Sequence, residues 1–308
     1  MKRTLLLAVL VAAVLAAAVS AGAGTRREKD EAERKRSENL EQKFRKAFDK
    51  LSKDFAPRVV ELAKFAAAKG LDAEVLELWD KAKELDPDLA EPMPKVSDAV
   101  ATDQDRAAFA SKRDAVFAEH AANLMKLGQN CYKAGLVGRA YDMVWEAIAY
   151  NPDHAAARKL LGQVKYDGKW MDKYDALQLK QGRTFHEEYG WVTPSQLEKY
   201  EKGLMPLQNK WLPREQVEEI RSKWDSAWVY QTEHYRIQTN VGLADAVAFG
   251  KICEDNYKLF FRIFIGYYST RNQTEMLFGN RAEQNLMKVN YYATRDDFKR
   301  CLPTKIGD

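Results

Sequence analysis

The sequence predicts a mainly α-helical protein in three parts. These are a helical-repeat region, then small strand or turn–helix units centred on tryptophans, then a short α/β unit. Apolar residues recur every three or four positions in several stretches before residue 162. One helical segment occurs twice at an offset of 65 residues, and strand-like alternation is confined to short stretches after residue 163.

The amino-terminal residues have the layout of a secretory signal peptide. Lys2 and Arg3 precede an uncharged apolar run over residues 5–19, and the small residues 21–23 form an A-x-A cleavage site. An uncleaved anchor is the alternative, because the run approaches the length of a membrane span. The sequence therefore predicts an exported protein, periplasmic or extracellular, with residues 1–23 removed and no membrane attachment afterwards.

Composition argues against two classes of protein. Loss of Lys2 and Arg3 with the signal peptide lowers the net charge from +4 to +2, and 31% of the residues are charged with both signs nearly balanced. No basic excess therefore favours a nucleic-acid partner. Cys131, Cys253 and Cys301 are odd in number and far apart, which predicts free thiols rather than a disulfide framework.

Residues 24–56 are predicted to be a charged helical lead-in. Their apolar residues recur at spacings that place them on one helix face: Leu40, Phe44, Phe48, Leu51 and Phe55. The helix is predicted to end where Pro57 stops it. The charged residues before Leu40 carry no apolar stripe, so we expect them to be solvated.

Residues 57–162 contain the internal repeat. Residues 70–88 match residues 135–153, with glycine at the start, alanine near the end and an Asp-Pro-Asp or Asn-Pro-Asp turn after each copy. Paired helices with small residues at fixed places resemble tetratricopeptide repeats, whose period is about 34 residues. The offset of 65 is close to twice that period, so a divergent unit is expected between the two copies.

The interval between the copies contains one helix-like run. Its apolar side holds Phe109, Val116, His120, Leu124 and Leu127. A histidine on such a face is more often a core residue than a metal ligand, and we interpret His120 as a core histidine.

Residues 163–228 hold three short units that begin alike. Each has a tryptophan (Trp170, Trp191 or Trp211) two residues before a helix-start signal, which in the second unit is a T-x-x-Q capping box from Thr193 to Gln196. The constant place of each tryptophan relative to a helix start favours core residues. Stacking of exposed tryptophans on sugars is the alternative.

Residues 229–308 predict a strand–helix–strand–helix order. The stretch TEHYRIQTN (232–240) alternates with period two, residues 246–264 carry an apolar helical stripe, and 286–294 read as a strand. A further short strand is predicted at 275–279. Thr294 and Asp297 predict the cap of a last helix.

The order and sequence of these elements resemble those of a known family. The strand ending at 240, the helix ending in aromatics and the strand ending in YATRDDF (292–298) are similar to the entry of the peptidase-MA-like gluzincin domain of secreted bacterial proteins. The resemblance covers residues 164–302. It implies a zinc metallopeptidase whose catalytic helix carries H-E-x-x-H, with helical repeats and G-x-W units beside the domain.

The zinc motif itself does not occur in this sequence. None of the four histidines opens H-E-x-x-H; they are His120, His154, His186 and His234. The nearest match, from His186, has Gly190 in place of the second histidine. Glu233 and His234 are adjacent in the predicted strand, so we expect their side chains on opposite faces and not on one ion. The sequence thus predicts no catalytic residue, no metal ligand and no cofactor site.

Two functions follow as hypotheses. The first is an exported helical-repeat protein without catalytic activity, which binds a protein or peptide in the groove of its repeats. The second is the amino-terminal part of a gluzincin-like zinc peptidase whose catalytic segment lies beyond residue 308. Carbohydrate binding through the tryptophans is a third reading, and Asn272 in an N-x-T sequon is a weak signal for glycosylation.

We expect the mature chain to begin near Gly24, because the basic start, apolar run and A-x-A site direct cleavage after Ala23. Mass spectrometry of the native protein's amino terminus measures this. An intact Met1 on the exported protein would contradict cleavage and favour the anchor.

Overall fold

The computed structural model of the chain describes residues 2–268 and 286–301, with side chains for residues 31–265 and 286–301. Backbone contacts divide the chain into two compact units, Met1–Met143 and Val144–Asp308. The protein is mainly helical, with small sheets in the second unit. The side chains of the predicted signal peptide lie outside the described residues, as do Asn272 and the predicted strand 275–279. Within the described part, no helix is both long and apolar enough to cross a membrane.

The first unit contains α1 (Lys2–Ala68), α2 (Asp72–Leu85), α3 (Asp103–Ala134) and the start of α4 (Val137–Tyr150). The boundary between the two units falls within α4. The two matching segments of the sequence both form helices of 14 residues, α2 and α4, which begin 65 residues apart. Gly70 and Gly135 precede them with positive φ, which glycine adopts without steric cost. The turns that follow the two helices are also alike. The N–H of Asp88 donates to the side chain of Asp86, and the N–H of Asp153 donates to the side chain of Asn151.

The predicted end of a helix at Pro57 is wrong, since α1 continues through it to Ala68. Proline inside a helix removes a hydrogen bond and costs about 3 kcal/mol. Phe55, Val59 and Leu62 are almost fully buried on both sides of this proline. Burial of such side chains contributes about 1.5–3 kcal/mol each, which outweighs the local cost.

The divergent repeat expected between the two copies is not formed. Residues 86–102 contain no helix, and α3 is one helix of 32 residues. Thr102 and Asp105 form the capping box that starts it. The loop before α3 returns across the end of α1, where the N–H of Ser97 donates to the carbonyl of Ala67 at 2.9 Å.

His120 is a core residue, as expected. Its ring is buried and stacks on Phe55 of α1 with centroids 3.7 Å apart. Burial, with the charges of Lys81 and Arg58, lowers its pKa to about 4. Cys131 of the same helix is a buried free thiol, and Cys253 and Cys301 are half-buried free thiols, so no disulfide links them.

The second unit begins within α4, at Val144, and continues with α5 (Ala155–Leu160) and three hairpin–helix units. Each unit consists of two short antiparallel strands followed by a helix of eight residues: β1 (Gln163–Tyr166), β2 (Lys169–Asp172) and α6 (Lys173–Lys180); β3 (Thr184–His186), β4 (Gly190–Val192) and α7 (Pro194–Glu201); β5 (Leu204–Leu207), β6 (Lys210–Pro213) and α8 (Arg214–Arg221). Gly162, Gly182 and Gly203 precede the hairpins with φ near +75°, where other residues are strained. The predicted capping box of the second unit is confirmed, with Gln196 N–H donating to the Thr193 hydroxyl at 3.3 Å.

A three-stranded sheet with the order β7–β8–β9 completes the second unit. Its elements are β7 (Trp228–Gln231), β8 (Tyr235–Thr239), α9 (Leu243–Tyr268), β9 (Met287–Tyr291) and α10 (Arg295–Cys301), with a 3₁₀ turn at Trp224–Ser226 before β7. β8 pairs antiparallel with β7 and parallel with β9. The predicted strand within 286–294 is confirmed. The predicted cap of the helix that follows is also confirmed, since the Thr294 hydroxyl accepts the N–H of Asp297 at 3.1 Å.

We expect His120 to make the stability of the first unit pH-dependent. Its folded-state pKa of about 4 lies below the ordinary value of 6.5. The folded state therefore favours the neutral imidazole, and the unfolding free energy is unaffected by His120 above about pH 6.5. As the pH falls towards 4, the unfolding free energy decreases by up to about 3 kcal/mol, because the unfolded state takes up a proton that the folded state does not. Urea unfolding at pH 7 and pH 4.5, compared with His120→Phe, measures it. Equal losses in both proteins on acidification would contradict the prediction.

Candidate functional site

An open groove of about 510 Å³ lies in the second unit. It runs beside β7 and is walled by residues of the hairpin–helix units. Its aromatic residues are Tyr174, Tyr189, Trp191, Tyr200, Trp228 and Tyr230, and its polar side chains include Gln178, Arg183, Arg221 and Gln231. Among the described residues, the lining contains two guanidinium groups and no carboxylate. A groove with an apolar surface and a few convergent polar groups is the usual form of a binding site.

The aromatic wall is held by ring packing. Tyr189 stacks on Tyr200 with centroids 4.1 Å apart, and Trp211 meets Tyr200 edge-on at 5.3 Å. Tyr200 and Trp228 belong to a buried cluster that also contains Val192, Met205 and Val217. The rings that face the groove are therefore continuous with the core, which fixes their orientation.

Tyr230 lies between two glycines from different elements. A Cβ atom on Gly190 would lie 2.5 Å from the Tyr230 ring, and a Cβ on Gly250 would lie 2.9 Å from it. Both distances are shorter than real contacts, so the ring fits only because neither position has a side chain. Burial raises the pKa of the Tyr230 hydroxyl, and the charge of Glu254 adds to the shift.

β7 is an edge strand of the sheet, and the groove follows its free side. The N–H of Thr232 donates to the carbonyl of Tyr235 at 2.9 Å, which marks these two residues as a hydrogen-bonded pair. Because such pairs alternate along an antiparallel ladder, Tyr230 and Trp228 direct their peptide groups towards β8. Val229 and Gln231 direct theirs to the outside, where the Tyr174 hydroxyl donates to the Gln231 carbonyl at 3.4 Å.

The turn between β7 and β8 carries a cluster of titratable groups. Glu254 of α9 accepts the backbone N–H of His234 at 2.8 Å with Oε1, and its Oε2 lies 2.7 Å from His234 Nδ1. The His234 ring stacks on Tyr257 at 3.8 Å. Donor atoms of Glu233, His234 and Glu254 all lie within 4.8 Å of one another. The structure thus brings an imidazole and two carboxyl groups together.

The prediction that Glu233 and His234 alternate on a strand is wrong. β8 begins at Tyr235, and the two residues form the bend that joins β7 to β8. Side chains in a bend do not follow the alternation of a strand, so both donors can converge on Glu254. The alternating pattern of residues 232–240 concealed this, and the position of Glu254 on α9 was not linked to it by any local signal.

Local electrostatics separate the two carboxyl groups of the cluster. Burial raises the pKa of Glu233, with the charge of His234 opposing the shift and the carboxylates of Asp172 and Glu254 adding to it. Burial alone would also raise the pKa of Glu254. Hydrogen bonds from the His234 ring, from Thr232 and from the His234 N–H outweigh burial and lower it.

The ammonium group of Lys258 lies beside these carboxylates. Lys258 of α9 is 2.5 Å from Asp172. Burial works against its charge, but this hydrogen bond and the charge of Asp172 raise its pKa. Burial raises the pKa of the Asp175 carboxyl, and the charge of Asp172 adds to the shift. Within the part of the chain that the structure describes, carboxylates therefore outnumber this cation, and such a neighbourhood favours binding of a positive ion.

The other histidines occupy separate local structures. His120 stacks in the core of the first unit. His154 caps α5, where its Nδ1 accepts the N–H of Ala157 at 3.3 Å. His186 ends β3, accepts the N–H of Glu188 at 3.1 Å and stacks on a tyrosine. The match to H-E-x-x-H that begins at His186 therefore lies in a hairpin and not on a helix.

The interpretation of the three unit tryptophans as core residues is wrong for two of them. Each is half-buried and lies on the second strand of its hairpin. Trp211 packs against the buried cluster. Trp170 donates its indole N–H to Asp153 at 2.7 Å, and Trp191 lines the groove. Trp228 of β7 is buried instead, and the pattern of the three units did not single it out.

We expect Gly190→Ala to destabilise the second unit more than Gly182→Ala. Both glycines have φ of +72°, which costs an alanine about 1–2 kcal/mol. A Cβ at Gly182 meets nothing within 4 Å, whereas one at Gly190 meets the Tyr230 ring. This overlap should add about 1–3 kcal/mol to the loss of unfolding free energy. Chemical unfolding of both variants measures the difference, and equal losses would show that Tyr230 moves aside freely.

The chain was compared with protein-family models, curated proteins and solved structures, and it matches none of them. The resemblances to tetratricopeptide repeats and to peptidase-MA-like gluzincins therefore remain expectations from the sequence, and the groove and the turn cluster are the basis for a functional proposal.

Proposed function

We propose that this protein is an exported binding protein that takes an extended peptide segment of a partner along the outer edge of β7, without a catalytic step. The observation that carries the proposal is the outward direction of the peptide groups of Val229 and Gln231 within an aromatic groove. Free edges of this kind pair with added strands.

The helical region is a weaker place for the ligand. The sequence favoured the groove of a repeat array, which needs about three or more stacked units to bury its surfaces. The first unit instead contains one long helix, α3, where an intermediate repeat was expected. The proposal therefore retains a peptide ligand and assigns it to the second unit.

An added strand would lie about 4.8 Å from β7 and direct alternate side chains into the groove. Tyr189, Trp191 and Tyr230 offer apolar surface to those side chains. Arg183 already donates to Gln178 at 2.9 Å, and a guanidinium has further N–H groups available for carbonyl or carboxylate oxygens. The positive charges of Arg183 and Arg221 favour a peptide in which acidic residues alternate with aromatic or β-branched ones.

We expect Val229→Pro to weaken binding of such peptides by about tenfold or more, whereas Val229→Ala changes it little. Proline removes the outward N–H, and the loss of one interfacial hydrogen bond costs about 1–3 kcal/mol. Both substitutions remove the exposed valine side chain, so the N–H is the main difference between them. Proline is tolerated on edge strands whose N–H faces solvent. Fluorescence polarisation with labelled peptides of about eight residues measures the affinities.

Methylation of the peptide's own backbone provides an independent control. In a strand that pairs with β7, every second N–H group points towards β7. N-methylation of those residues should abolish binding, whereas N-methylation of the residues between them should not. Equal effects of both registers, or equal affinities of both Val229 variants, would contradict strand addition. Binding of oligosaccharides that Trp191→Ala abolishes, in place of peptide binding, would favour the carbohydrate reading.

A further inference from the structure

We propose that Glu233, His234 and Glu254 form a binding site for a divalent transition-metal ion, with Zn²⁺ as the best fit. The inference is independent of the peptide proposal, because it concerns the turn after β7 and not the groove. Their donor atoms lie within 4.8 Å of one another and are half-buried. Two of the residues belong to one turn and the third to α9, so the fold itself brings them together.

The donor set suits this class of ion. One imidazole nitrogen with two carboxylate oxygens matches zinc and its neighbours in the first transition row, whereas Mg²⁺ and Ca²⁺ prefer oxygen ligands alone. Three protein ligands leave a fourth tetrahedral position for water. Tetrahedral bonds of about 2.0–2.2 Å place two ligand atoms about 3.4 Å apart. The His234–Glu254 pair, now at 2.7 Å, would therefore open slightly around the ion, and Glu233 would complete the site from within 4.8 Å.

The pair His234 and Glu254 is already arranged as two adjacent ligands. His234 Nδ1 and Glu254 Oε2 are joined by a hydrogen bond of 2.7 Å. On binding, the ion takes the place of the hydrogen between these two atoms, the neutral ring carries its proton on Nε2, and Nδ1 and Oε2 each donate a lone pair to the metal. Glu254 Oε1 keeps the N–H of His234 at 2.8 Å, so the carboxylate remains oriented by a second contact.

The surroundings favour the added charge. Tyr257 stacks on the imidazole and Thr232 donates to Glu254, which limits the movement of both ligands. Glu233 faces the carboxylates of Asp172 and Glu254, with Lys258 as the nearby cation. The negative charges of these carboxylates repel one another, and the hydrogen bonds between His234 and Glu254 do not remove that repulsion. A dication between Glu233 and Glu254 would offset it.

A purely structural role makes a different prediction. If the cluster only fastens the turn to α9, the two hydrogen bonds between Glu254 and His234 are sufficient, and Glu233 has no part in them. Glu233→Gln is therefore the decisive variant, because it removes a proposed ligand and leaves the fastening intact. Glu254→Gln is less informative, since it also disturbs the contact between the turn and α9.

The experiment is equilibrium dialysis of the chelator-treated, tag-free protein against Zn²⁺, with metal analysis of the protein. A second histidine–glutamate neighbour pair, His186 and Glu187, also lies at a hairpin turn and serves as the matched control. We expect one Zn²⁺ per chain. Binding should weaken by about tenfold or more in Glu233→Gln and in His234→Gln, and stay unchanged in His186→Gln and Glu187→Gln. Excess Mg²⁺ or Ca²⁺ should not displace the ion.

Three outcomes would overturn the proposal. They are the absence of stoichiometric Zn²⁺, Zn²⁺ binding that Glu233→Gln and His234→Gln leave unchanged, and binding that the His186→Gln control loses equally. Far-UV and near-UV circular dichroism of each variant guards against loss of fold. The electronic spectrum of Co²⁺ bound in place of Zn²⁺ gives a second readout, because His234→Gln should alter the ligand field even where some affinity remains.

Discussion

The candidate sites of the second unit depend on one carboxylate, that of Glu254. Its two oxygens hold the backbone and the ring of His234 at 2.8 and 2.7 Å, and so fasten the turn between β7 and β8 to α9. The turn sets the end of β7, whose outer edge faces the groove. A partly buried carboxylate with both oxygens hydrogen-bonded is costly to disturb, because a lost partner leaves a buried charge.

Close packing without side chains is the second constraint on this region. Tyr230 fills the space that Gly190 and Gly250 leave open, and thereby joins a hairpin of the tryptophan units to α9. The neighbouring wall is built from rings that stack on one another, with Tyr189 on Tyr200. A ligand in the groove would thus meet a surface that is already ordered, which reduces the entropy lost on binding.

The groove and the turn cluster are chemically distinct although they share β7. The groove offers apolar rings and guanidinium groups, which suit a peptide with acidic residues. The cluster offers an imidazole and carboxylates, which suit a cation. The separation has a structural origin, since the groove is lined from the hairpin–helix units and the cluster from the turn and α9.

The sequence by itself determined the mainly helical class, the two matching helices 65 residues apart, a helix after each short strand or turn of residues 163–228, and the caps at Thr193 and Thr294. These depend on periodicity, turn glycines and neighbours a few residues apart. It did not determine the passage of α1 through Pro57, which burial of Phe55, Val59 and Leu62 on both sides of the proline decides. It also did not determine the convergence of Glu233, His234 and Glu254. Only the tertiary structure decided that, because the contact joins a turn to a helix 20 residues further along the chain, and no local pattern encodes such a distance.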